Sequence, residues 1–338
     1  MSRICKTLLL VMILIVGAVF PAFAQEVTPE ATDAAVISPA NGEAPAKIEV
    51  NFPGLFPEGI EWDATGRRFL LSSLSGQGIT AVADDGTMTP FAAAENGMSA
   101  VGLEVDEANN RLLVDYSDAS VFSDPNAKGA AALGIYDLET ADLINFVDLS
   151  TLYDGKHFAN DVTVDADGNA YVTDTFSPVI YKVTPDGDAS IFVQDDQLGN
   201  PNFGLNGIVY SPDGYLLASI GGNASLWKIP VDDPTALSQV QLSEPFGADG
   251  MFLDADGNLI AVAAFTGSDG TQHQEVVSVS SDDDWATATI DKRLETQDAT
   301  TVAIRDGLAY VIYAQLGKMG SNPPPNNFEI GRIDFSAA

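Results

Sequence analysis

The sequence has almost no cysteine, few basic residues and little helical periodicity, and each shortage excludes a class of protein. The single cysteine, Cys5, lies within the first 24 residues, so disulfide bonds and thiolate chemistry are excluded for the rest of the chain. A composition of 46% hydrophobic residues allows a chain of this length to be held by its core alone. With 15 Lys and Arg against 48 Asp and Glu, the formal net charge is −33. Phosphate backbones and anionic lipid surfaces repel such a chain, so we expect neither nucleic acid nor a membrane as partner.

The first 24 residues have the features of a secretory signal peptide. Arg3 and Lys6 make the start positively charged, residues 8–20 form an apolar core that is short for a membrane span, and residues 22–24 read A-F-A, a cleavage motif. No later segment contains the roughly 20 apolar residues that a spanning helix needs. We therefore expect a secreted or periplasmic protein that is free of the membrane after signal cleavage and is a monomer.

The remainder of the chain divides into a short spacer and one β-rich domain. Residues 25–46 are rich in Ala, Pro, Glu and Thr and predict a disordered spacer. Over residues 47–338, short runs of β-branched and aromatic residues alternate with polar residues and end at Asp-Gly, Asn-Gly or Pro-Asp-Gly turns. This pattern is typical of an all-β domain.

The β-rich region repeats one motif six times. Three or four strands occupy about 45 residues, which is the size of a propeller blade. The units begin at Glu58, Val101, Asn160, Asn206, Asp249 and Thr300. The sixth unit has three obvious strands, so we predict that residues 47–52 supply its missing strand and close a six-bladed β-propeller. A β-sandwich is the alternative, but it would not explain the repetition.

Four of the six units begin with an oxygen-bearing side chain, eight residues before a turn glycine: Glu58, Asn160, Asn206 and Asp249. The innermost strand of each propeller blade starts at one face of the central channel, so these side chains are predicted to meet at the axis. Ca²⁺ accepts six to eight oxygen ligands, whereas zinc and other borderline metals favour nitrogen or sulfur. We predict a divalent-cation site, with Ca²⁺ preferred and Zn²⁺ or Mn²⁺ as alternatives.

Each of these motifs is weak when taken alone. Asn, Asp and Glu beside Gly are common turn residues, so the argument depends on finding four in one register. Three further acids, Asp63, Asp165 and Asp254, also recur between units. They stand where turns between strands favour Asp, and we interpret them as structural.

The four motifs resemble those of the SMP-30/gluconolactonase/LRE-like six-bladed propellers, whose distant relatives include the paraoxonases and strictosidine-synthase-like proteins. The matching segments are P-E-G at 57–59, N-D at 160–161, N-G at 206–207 and A-D-G-M at 248–251, and the resemblance covers about residues 50–335. It implies that Glu58, Asn206 and Asp249 bind a divalent metal in the channel. It also implies that Asn160 contacts the substrate or is a fourth ligand.

The chain departs from this family beside Asn160. Sugar-lactone hydrolases of the family often carry an arginine two residues before that asparagine, and Phe158 stands there instead, which indicates a less polar substrate or no sugar at all. His157 lies near the predicted channel mouth and could assist proton transfer, although a solvated loop histidine is the favoured interpretation. The candidate substrate-binding residues are therefore His157, Phe158 and Asn160. The histidine pair of paraoxonase-like enzymes has no counterpart, since His273 lies in a polar loop of another blade.

The leading functional hypothesis is hydrolysis of a small-molecule lactone or related ester, with Asp249 and Asn160 as the candidate catalytic residues. A divalent cation would stabilise the charge that develops on the carbonyl oxygen, and Asp249 would take the proton of the attacking water. Coordination lowers the basicity of a carboxylate, so Asp249 would have to be held loosely. No G-x-S-x-G motif lies near either histidine, which argues against a serine hydrolase.

Two other classes of function stay open. A non-catalytic binding propeller could use the same cation to brace its channel, because propellers host many functions. A condensing enzyme of the strictosidine-synthase type is the third hypothesis, although no residue here demands it.

Overall fold

The structure is a computed structural model that describes residues 44–267 and 270–337. These residues form six sheets, five with four strands and one with five. The innermost strands of successive sheets contact one another, and the sixth contacts the first, so the sheets close into a ring. The prediction of an all-β, six-bladed propeller is confirmed. The predicted signal segment, residues 1–24, and the spacer up to residue 43 lie outside the described residues.

Each blade runs outward from the axis, and its strands follow one another in sequence except for the strand Gln241–Leu242, which pairs in parallel with the strand Thr287–Thr296 at the outer edge of blade 5, and the strand Lys47–Val50, which joins blade 6. In chain order the strands are β1 (Lys47–Val50); β2 (Ile60–Asp63), β3 (Arg68–Leu71), β4 (Ile79–Val82) and β5 (Met88–Ala92) in blade 1; β6 (Ser99–Asp106), β7 (Arg111–Ser117), β8 (Ala131–Asp137) and β9 (Leu143–Asp148) in blade 2; β10 (Ala159–Val164), β11 (Ala170–Asp174), β12 (Val179–Val183) and β13 (Ala189–Gln194) in blade 3; β14 (Leu205–Ser211), β15 (Tyr215–Ile220), β16 (Ser225–Pro230) and β17 (Ser238–Gln239) in blade 4; β18 (Gln241–Leu242), β19 (Gly247–Leu253), β20 (Leu259–Thr266), β21 (Gln272–Ser280) and β22 (Thr287–Thr296) in blade 5; and β23 (Ala299–Arg305), β24 (Leu308–Tyr313) and β25 (Phe328–Arg332) in blade 6.

Across residues 44–267 and 270–337, helical structure is confined to short 3-10 turns. Within the described residues they are Glu107–Asn109, Ala119–Phe122, Asp196–Leu198, Gly221–Asn223, Pro234–Ala236, Leu316–Lys318 and Phe335–Ala337. None of the helices in this part of the chain has the length and apolar character required to cross a bilayer.

Strand β1 closes the ring as the outermost strand of blade 6. It pairs antiparallel with β25, from Lys47 opposite Gly331 to Val50 opposite Phe328. Ile48 and Val50 are buried whereas Lys47 and Glu49 are exposed, the period-two pattern of a strand with one covered face. The three residues before β1 continue along blade 6, since their backbone oxygens accept hydrogen bonds from Tyr310 and Arg332. Contacts with blade 6 therefore extend at least to residue 44, three residues before the predicted boundary at residue 47.

The hydrophobic core lies between neighbouring blades. One cluster combines residues of β1 with residues of β2, β3, β24 and β25, so it joins blade 6 to blade 1. The second strand of a blade is covered on both faces, which is why a run such as Leu112-Leu113-Val114 is entirely buried.

The turn glycines predicted from the repeat adopt the left-handed conformation in three blades. Gly168, Gly214 and Gly257 have φ angles of +80°, +87° and +81°, which favour glycine because it lacks a Cβ. In blade 1 the positive φ falls instead on Arg67, at +49°. In the blade 1 turn the left-handed residue is therefore the one after the turn glycine, Gly66, whereas in the other three blades it is the turn glycine itself.

Candidate metal centre

A β-bulge directs the predicted ligands in most blades. Pairing between the first and second strands of blades 2 to 6 skips two residues at the same place: Val101-Gly102, Asn160-Asp161, Asn206-Gly207, Asp249-Gly250 and Thr300-Thr301. Glu58-Gly59 stands at the corresponding place just before β2. Residues in a bulge are left outside the ladder and their side chains are re-aimed. All four predicted ligands therefore occupy one structural position.

The second bulge residue is usually glycine because the next blade leaves no room for a side chain. A Cβ on Gly59 would lie 2.5 Å from the backbone oxygen of Val101, and one on Gly207 would lie 2.0 Å from that of Asp249. Blade 3 carries Asp161 at this position, and its Oδ2 accepts a hydrogen bond from Ile208 N of blade 4 at 3.1 Å. These contacts bring the bulges of neighbouring blades close together around the axis.

Asn206 and Asp249 meet directly across the boundary between blades 4 and 5. Asn206 Nδ2 donates a hydrogen bond to Asp249 Oδ1 at 3.1 Å. An ionised carboxylate only accepts hydrogen bonds, so the amide nitrogen must face Asp249. The amide oxygen of Asn206 therefore points away from this contact and is left for another partner.

The orientation of the Asn160 amide is set by a threonine. Asn160 Nδ2 donates to Thr175 Oγ1 at 2.8 Å, and the Thr175 hydroxyl donates its own proton to Leu205 O at 2.9 Å. Because this hydroxyl proton is already used in the hydrogen bond to Leu205 O, Thr175 can only accept a hydrogen bond from Asn160. The Asn160 oxygen is thus directed away from Thr175, and Asn160 can serve a ligand only as an acceptor.

Glu58 and Asp249 interact electrostatically, although blade 6 separates their blades in the ring. Glu58 is 8% exposed, and burial together with the negative charges of Asp249, Asp161 and Asp115 raises the pKa of Glu58 well above its usual value. Burial also raises the pKa of Asp249 to about 7, although the hydrogen bond from Asn206 opposes this. The charges that raise the pKa of Glu58 are thus all acidic.

The donor set fits a hard divalent cation. Glu58 and Asp249 are poorly solvated carboxylates that act on each other electrostatically, and Asn206 contacts Asp249. The nitrogens of Asn206 and Asn160 are both engaged, and oxygen is the ligand that Ca²⁺ prefers. Within residues 44–267 and 270–337, no group of three or more His, Cys, Asp or Glu is placed to hold a metal. Glu58, Asn160, Asn206 and Asp249 would therefore hold a cation through mixed carboxylate and amide oxygens.

The other two blades place different groups in the same position. Thr300 of blade 6 donates its hydroxyl proton to the backbone oxygen of Glu58 at 2.7 Å, so it orders the neighbouring bulge. Val101 of blade 2 lies in an apolar cluster with Val121 and Phe158. One side of the site is therefore apolar.

Phe158 is the centre of this apolar side. It is 4% exposed, and the ring of Phe122 packs edge-on against it with 4.9 Å between centroids. Phe122 comes from the insert between β7 and β8, and Phe176 follows β11 and packs against Phe122. Phe158 lies in one cluster with Val101 and with Val121 of the insert, and its contact with a substrate stays a prediction.

The prediction that His157 is a solvated loop residue is wrong. His157 is 3% exposed, and its Nδ1 lies 2.8 Å from Asp174 Oδ2, which also accepts a hydrogen bond from Tyr181 OH at 3.0 Å. The backbone N–H of His157 donates to the oxygen of Lys128 in the insert. The insert thus covers a loop that looked exposed in the sequence. Direct contact of His157 with a substrate stays a prediction.

The three recurring turn acids make local hydrogen bonds. Asp165 accepts from Asn169 N at 2.8 Å, and Asp254 accepts from Asn258 N at the same distance. Asp63 accepts from Gly66 N at 2.7 Å and pairs with Arg68. These contacts agree with the structural interpretation.

The four sequence motifs do not include Thr175 or several carboxylates of the channel. Glu61 and Glu104 each stand three residues after the first bulge position of their blade, so aligning the repeats beyond the bulge would have revealed them. Asp115 and Thr175 lie on second strands or just after them, where the repeat carries no obvious signal.

A family model described as the SMP-30/gluconolactonase/LRE-like region matches residues 56–290. The chain belongs to this family.

Two fungal proteins match parts of the sequence. Trichothecene biosynthesis protein 14 of Trichoderma arundinaceum is 28% identical over 146 residues, which cover 42% of this chain and 39% of that protein. Core trichothecene cluster protein 14 of Fusarium sporotrichioides is 33% identical over 108 residues, or 31% of this chain and 28% of that protein. The matched stretch thus spans less than half of each fungal relative.

Solved structures share the fold over most of their length. The allergen Mala s 1 of Malassezia sympodialis superposes with a TM-score of 0.69 at 22% identity, covering 86% of this chain and 96% of that one. Regucalcin of Agrobacterium tumefaciens, described as a calcium-binding protein, gives 0.56 at 18% identity with 83% and 92% covered. A gluconolactonase of Xanthomonas campestris gives 0.54 at 18% identity with 84% and 88% covered. At these identities the likeness shows the propeller fold.

Proposed function

We propose that the protein is a divalent-metal-dependent hydrolase of lactones or related esters. The observation that supports this proposal is the buried Asp249 carboxylate, which accepts a hydrogen bond from Asn206 of the next blade and acts electrostatically on the buried Glu58. Ca²⁺ is preferred over Zn²⁺ and Mn²⁺ because Glu58, Asn160, Asn206 and Asp249 offer only oxygen. Membership of a family named for gluconolactonase, together with the calcium-binding regucalcin of the same fold, supports this choice.

The residues of the site have distinct roles in this reaction. Bound Ca²⁺ would supply the positive charge that polarises the substrate carbonyl. Asp249 takes the proton of the attacking water, and the hydrogen bond from Asn206 orients its carboxylate. Asn160 accepts a hydrogen bond from a substrate hydroxyl or ligates the cation through its oxygen, because Thr175 occupies its nitrogen.

The apolar side of the site suggests the class of lactone. We assign the wall on the side of blades 2 and 3 to the apolar cluster of Val101 and Phe158 with Phe122, where a sugar lactone would need polar partners for its hydroxyl groups. A lactone with an alkyl or aryl substituent fits this wall better than a polyhydroxylated one. We therefore propose apolar lactones as the substrate class.

The experiment compares a long-chain alkyl δ-lactone with gluconolactone, each assayed with Ca²⁺ and with a chelator. We expect Ca²⁺-dependent turnover that favours the alkyl lactone, and a loss of at least about 100-fold in kcat for Asp249→Asn. Asp254→Asn is the matched control, because it changes a turn carboxylate outside the channel and should keep wild-type kcat. Turnover that survives both the chelator and Asp249→Asn would reject the proposal.

A second candidate is a binding propeller in which the cation only braces the channel. The near-complete burial of Phe158 favours it, because little of that ring is left to contact a ligand. For this candidate, Ca²⁺ raises the melting temperature of the wild type, and no lactone of the panel is hydrolysed.

We also propose that the protein acts outside the cytoplasm, because residues 1–24 have the features of a signal peptide. N-terminal sequencing of the protein recovered from the medium or periplasm should begin at Gln25. Recovery of the intact chain from the cytoplasm would contradict export.

A further inference from the structure

The outermost strand of blade 2, β9, leaves apolar side chains uncovered. Three large hydrophobic side chains are exposed in the described part of the chain, and two of them are neighbours at the start of β9. Leu143 is 42% exposed and Ile144 is 57% exposed. Phe146 follows, partly exposed, with its ring against Tyr116. Single exposed hydrophobic residues are ordinary, but a continuous apolar strip along a strand suggests a binding surface.

The free edge of β9 offers backbone groups to another strand. β9 ends its sheet, in which the order is β6-β7-β8-β9. Leu149 N donates to Ala131 O, one step beyond the pairing of Asp148 with Ala132. Hydrogen-bonded pairs alternate with open pairs in an antiparallel ladder. The N–H and C=O groups of Asp148, and of Phe146 two residues earlier, therefore face away from β8.

A β-bulge turns Ile144 outward. The pairing of β8 with β9 skips Ile144, so this residue has no partner in the ladder. Residues in a bulge are re-aimed, which agrees with Ile144 having the largest exposed fraction of the three exposed hydrophobic residues. Pairing is regular over residues 145–148. The edge thus combines a projecting apolar side chain with a regular stretch of backbone.

The outermost strands of the other blades have features that protect their edges. Proline, charged side chains and very short strands serve this purpose in natural sheets. Pro90 is exposed within β5, Lys47 and Glu49 are the exposed residues of β1, and β17 and β18 have two residues each. The exposed residues of β13 are the polar Ser190 and Gln194. Large apolar residues at exposed edge positions therefore distinguish β9 among the described outer strands.

The charged residues of β9 and of two turns beside it are all acidic. Residues 137–148 and 184–188 contain no Lys or Arg. The second range forms a turn of blade 3 that lies beside β9, since a Cβ on Gly187 would be 1.9 Å from Asn145 Nδ2. The acidic residues are Asp137, Glu139, Asp142, Asp148, Asp186 and Asp188. A partner with basic residues would complement this surface.

We propose that β9 is the docking site of an extended polypeptide segment in which apolar residues are flanked by Lys or Arg. The segment would add a fifth strand to blade 2 through the outward backbone groups of Phe146 and Asp148. Its apolar side chains would cover Leu143 and Ile144, and its basic residues would face the acidic turns. A second copy of this chain would bring acidic turns against acidic turns, so it fits this edge less well. The docking site lies on the outer rim and is independent of the proposed hydrolysis.

The test uses a synthetic peptide with alternating valine and threonine between two pairs of lysine. One control peptide has glutamate in place of each lysine, and another has proline at its centre and cannot pair as a strand. Fluorescence anisotropy with the chain that begins at Gln25 would measure the dissociation constants. We expect the lysine peptide to bind, and both controls to bind at least about tenfold more weakly. Equal affinity for the three peptides, or no binding of the lysine peptide, would overturn the proposal.

Ile144→Lys tests the same contact from the side of the protein. It removes apolar surface and adds a positive charge at the edge, so the lysine peptide should bind at least about tenfold more weakly. Leu308→Lys is the matched control, because Leu308 is the third exposed hydrophobic residue and its strand β24 lies between β23 and β25. The pair Asp142→Asn with Asp148→Asn should weaken binding of the lysine peptide as well. Unchanged affinity in Ile144→Lys, or an equal loss in Leu308→Lys, would contradict docking at β9.

Hydrogen exchange gives the location of the bound peptide. The amides of Phe146 and Asp148 should exchange more slowly in the complex, because their N–H groups then donate to the added strand. The amides of β13, the outermost strand of blade 3, should be unaffected. Protection confined to another blade would place the peptide elsewhere and refute the proposal.

Sedimentation of the free protein tests the rival occupant of the edge. We expect a monomer for the wild type and for Ile144→Lys. A wild-type dimer that dissociates in Ile144→Lys would assign β9 to a second copy of the chain and overturn the proposal. None of these measurements depends on lactone turnover, so failure of the proposed reaction would leave them intact.

Discussion

Single hydroxyl groups hold the predicted ligands in place, and the family motifs do not include them. Thr175 orients the Asn160 amide and also donates to Leu205 O in the next blade. Thr300 donates its hydroxyl proton to the backbone oxygen of Glu58 and so positions that residue. Partners of this kind tune metal sites because they decide which atom of a ligand faces the ion.

Replacing Thr175 by valine should weaken Ca²⁺ binding at the predicted centre about tenfold, because the Asn160 amide is then free to rotate. Isothermal titration would measure the dissociation constant. Thr80→Val is the matched control, since Thr80 is a buried threonine on the third strand of blade 1. Equal affinities in the two variants would contradict the positioning role.

A buried ion pair links the innermost strand of blade 6 to blade 1. The Arg305 side chain is 2% exposed, its Nη2 donates to Asp84 Oδ2 at 2.8 Å, and its guanidinium lies 4.3 Å from the ring centre of Trp62. Asp84→Asn should lower the free energy of unfolding by about 2 kcal/mol, less than for a fully buried pair because the Asp84 side chain is 22% exposed. Urea denaturation would measure the change.

The neighbouring Asp306 offers the control for this ion pair. Its carboxylate is 59% exposed and lies 3.8 Å from Arg305 Nε, so Asp306→Asn should change the free energy of unfolding by less than about 0.5 kcal/mol. If both variants lose the same stability, the Asp84 contact has no special role.

At the level of strands, the ring depends on four residues at the start of the domain. Strand β1 covers the edge of β25, and Ile48 and Val50 add their side chains to the core between blades 6 and 1. An uncovered edge strand offers unpaired N–H and C=O groups to other chains. Closure by β1 therefore contributes both stability and protection against association.

A chain that begins at Asn51 should unfold at lower temperature and aggregate as its concentration rises, because β25 becomes an exposed edge. A chain that begins at Ala44 keeps β1 and its contacts with Tyr310 and Arg332, so it should match the protein that begins at Gln25. Thermal unfolding and light scattering would compare the three. An Asn51 chain as stable and monodisperse as the others would show that β1 is dispensable.

For the whole molecule, the excess of acidic residues opposes folding. The full sequence has a formal net charge of −33, most of it in the β-rich domain, and the mutual repulsion of these like charges is relieved when the chain expands. Salt screens this repulsion, since the Debye length falls to about 10 Å at 0.1 M. The folded state should therefore gain stability as ionic strength rises.

In a chelating buffer, raising NaCl from 0.02 to 0.5 M should add about 1 kcal/mol of stability, or about 2–4 °C in melting temperature. KCl should give the same increase, because screening does not depend on the identity of the cation. A large difference between the two salts would indicate specific ion binding instead. A melting temperature that falls with salt would contradict the repulsion argument.

The sequence alone determined the number of blades, the closing strand and the register of the predicted ligands. These features follow from local pattern: alternation marks strands, turn residues mark their ends, and a repeated interval marks equivalent positions. Glu58, Asn160, Asn206 and Asp249 could therefore be assigned to one structural position before any contact between blades was known.

Only the tertiary structure decided what surrounds those positions. Burial of His157 depends on an insert that folds over it, and the orientation of Asn160 depends on Thr175. These contacts join residues on different strands and blades, and packing across the ring determines them. The repeat along the sequence carries no information about that packing.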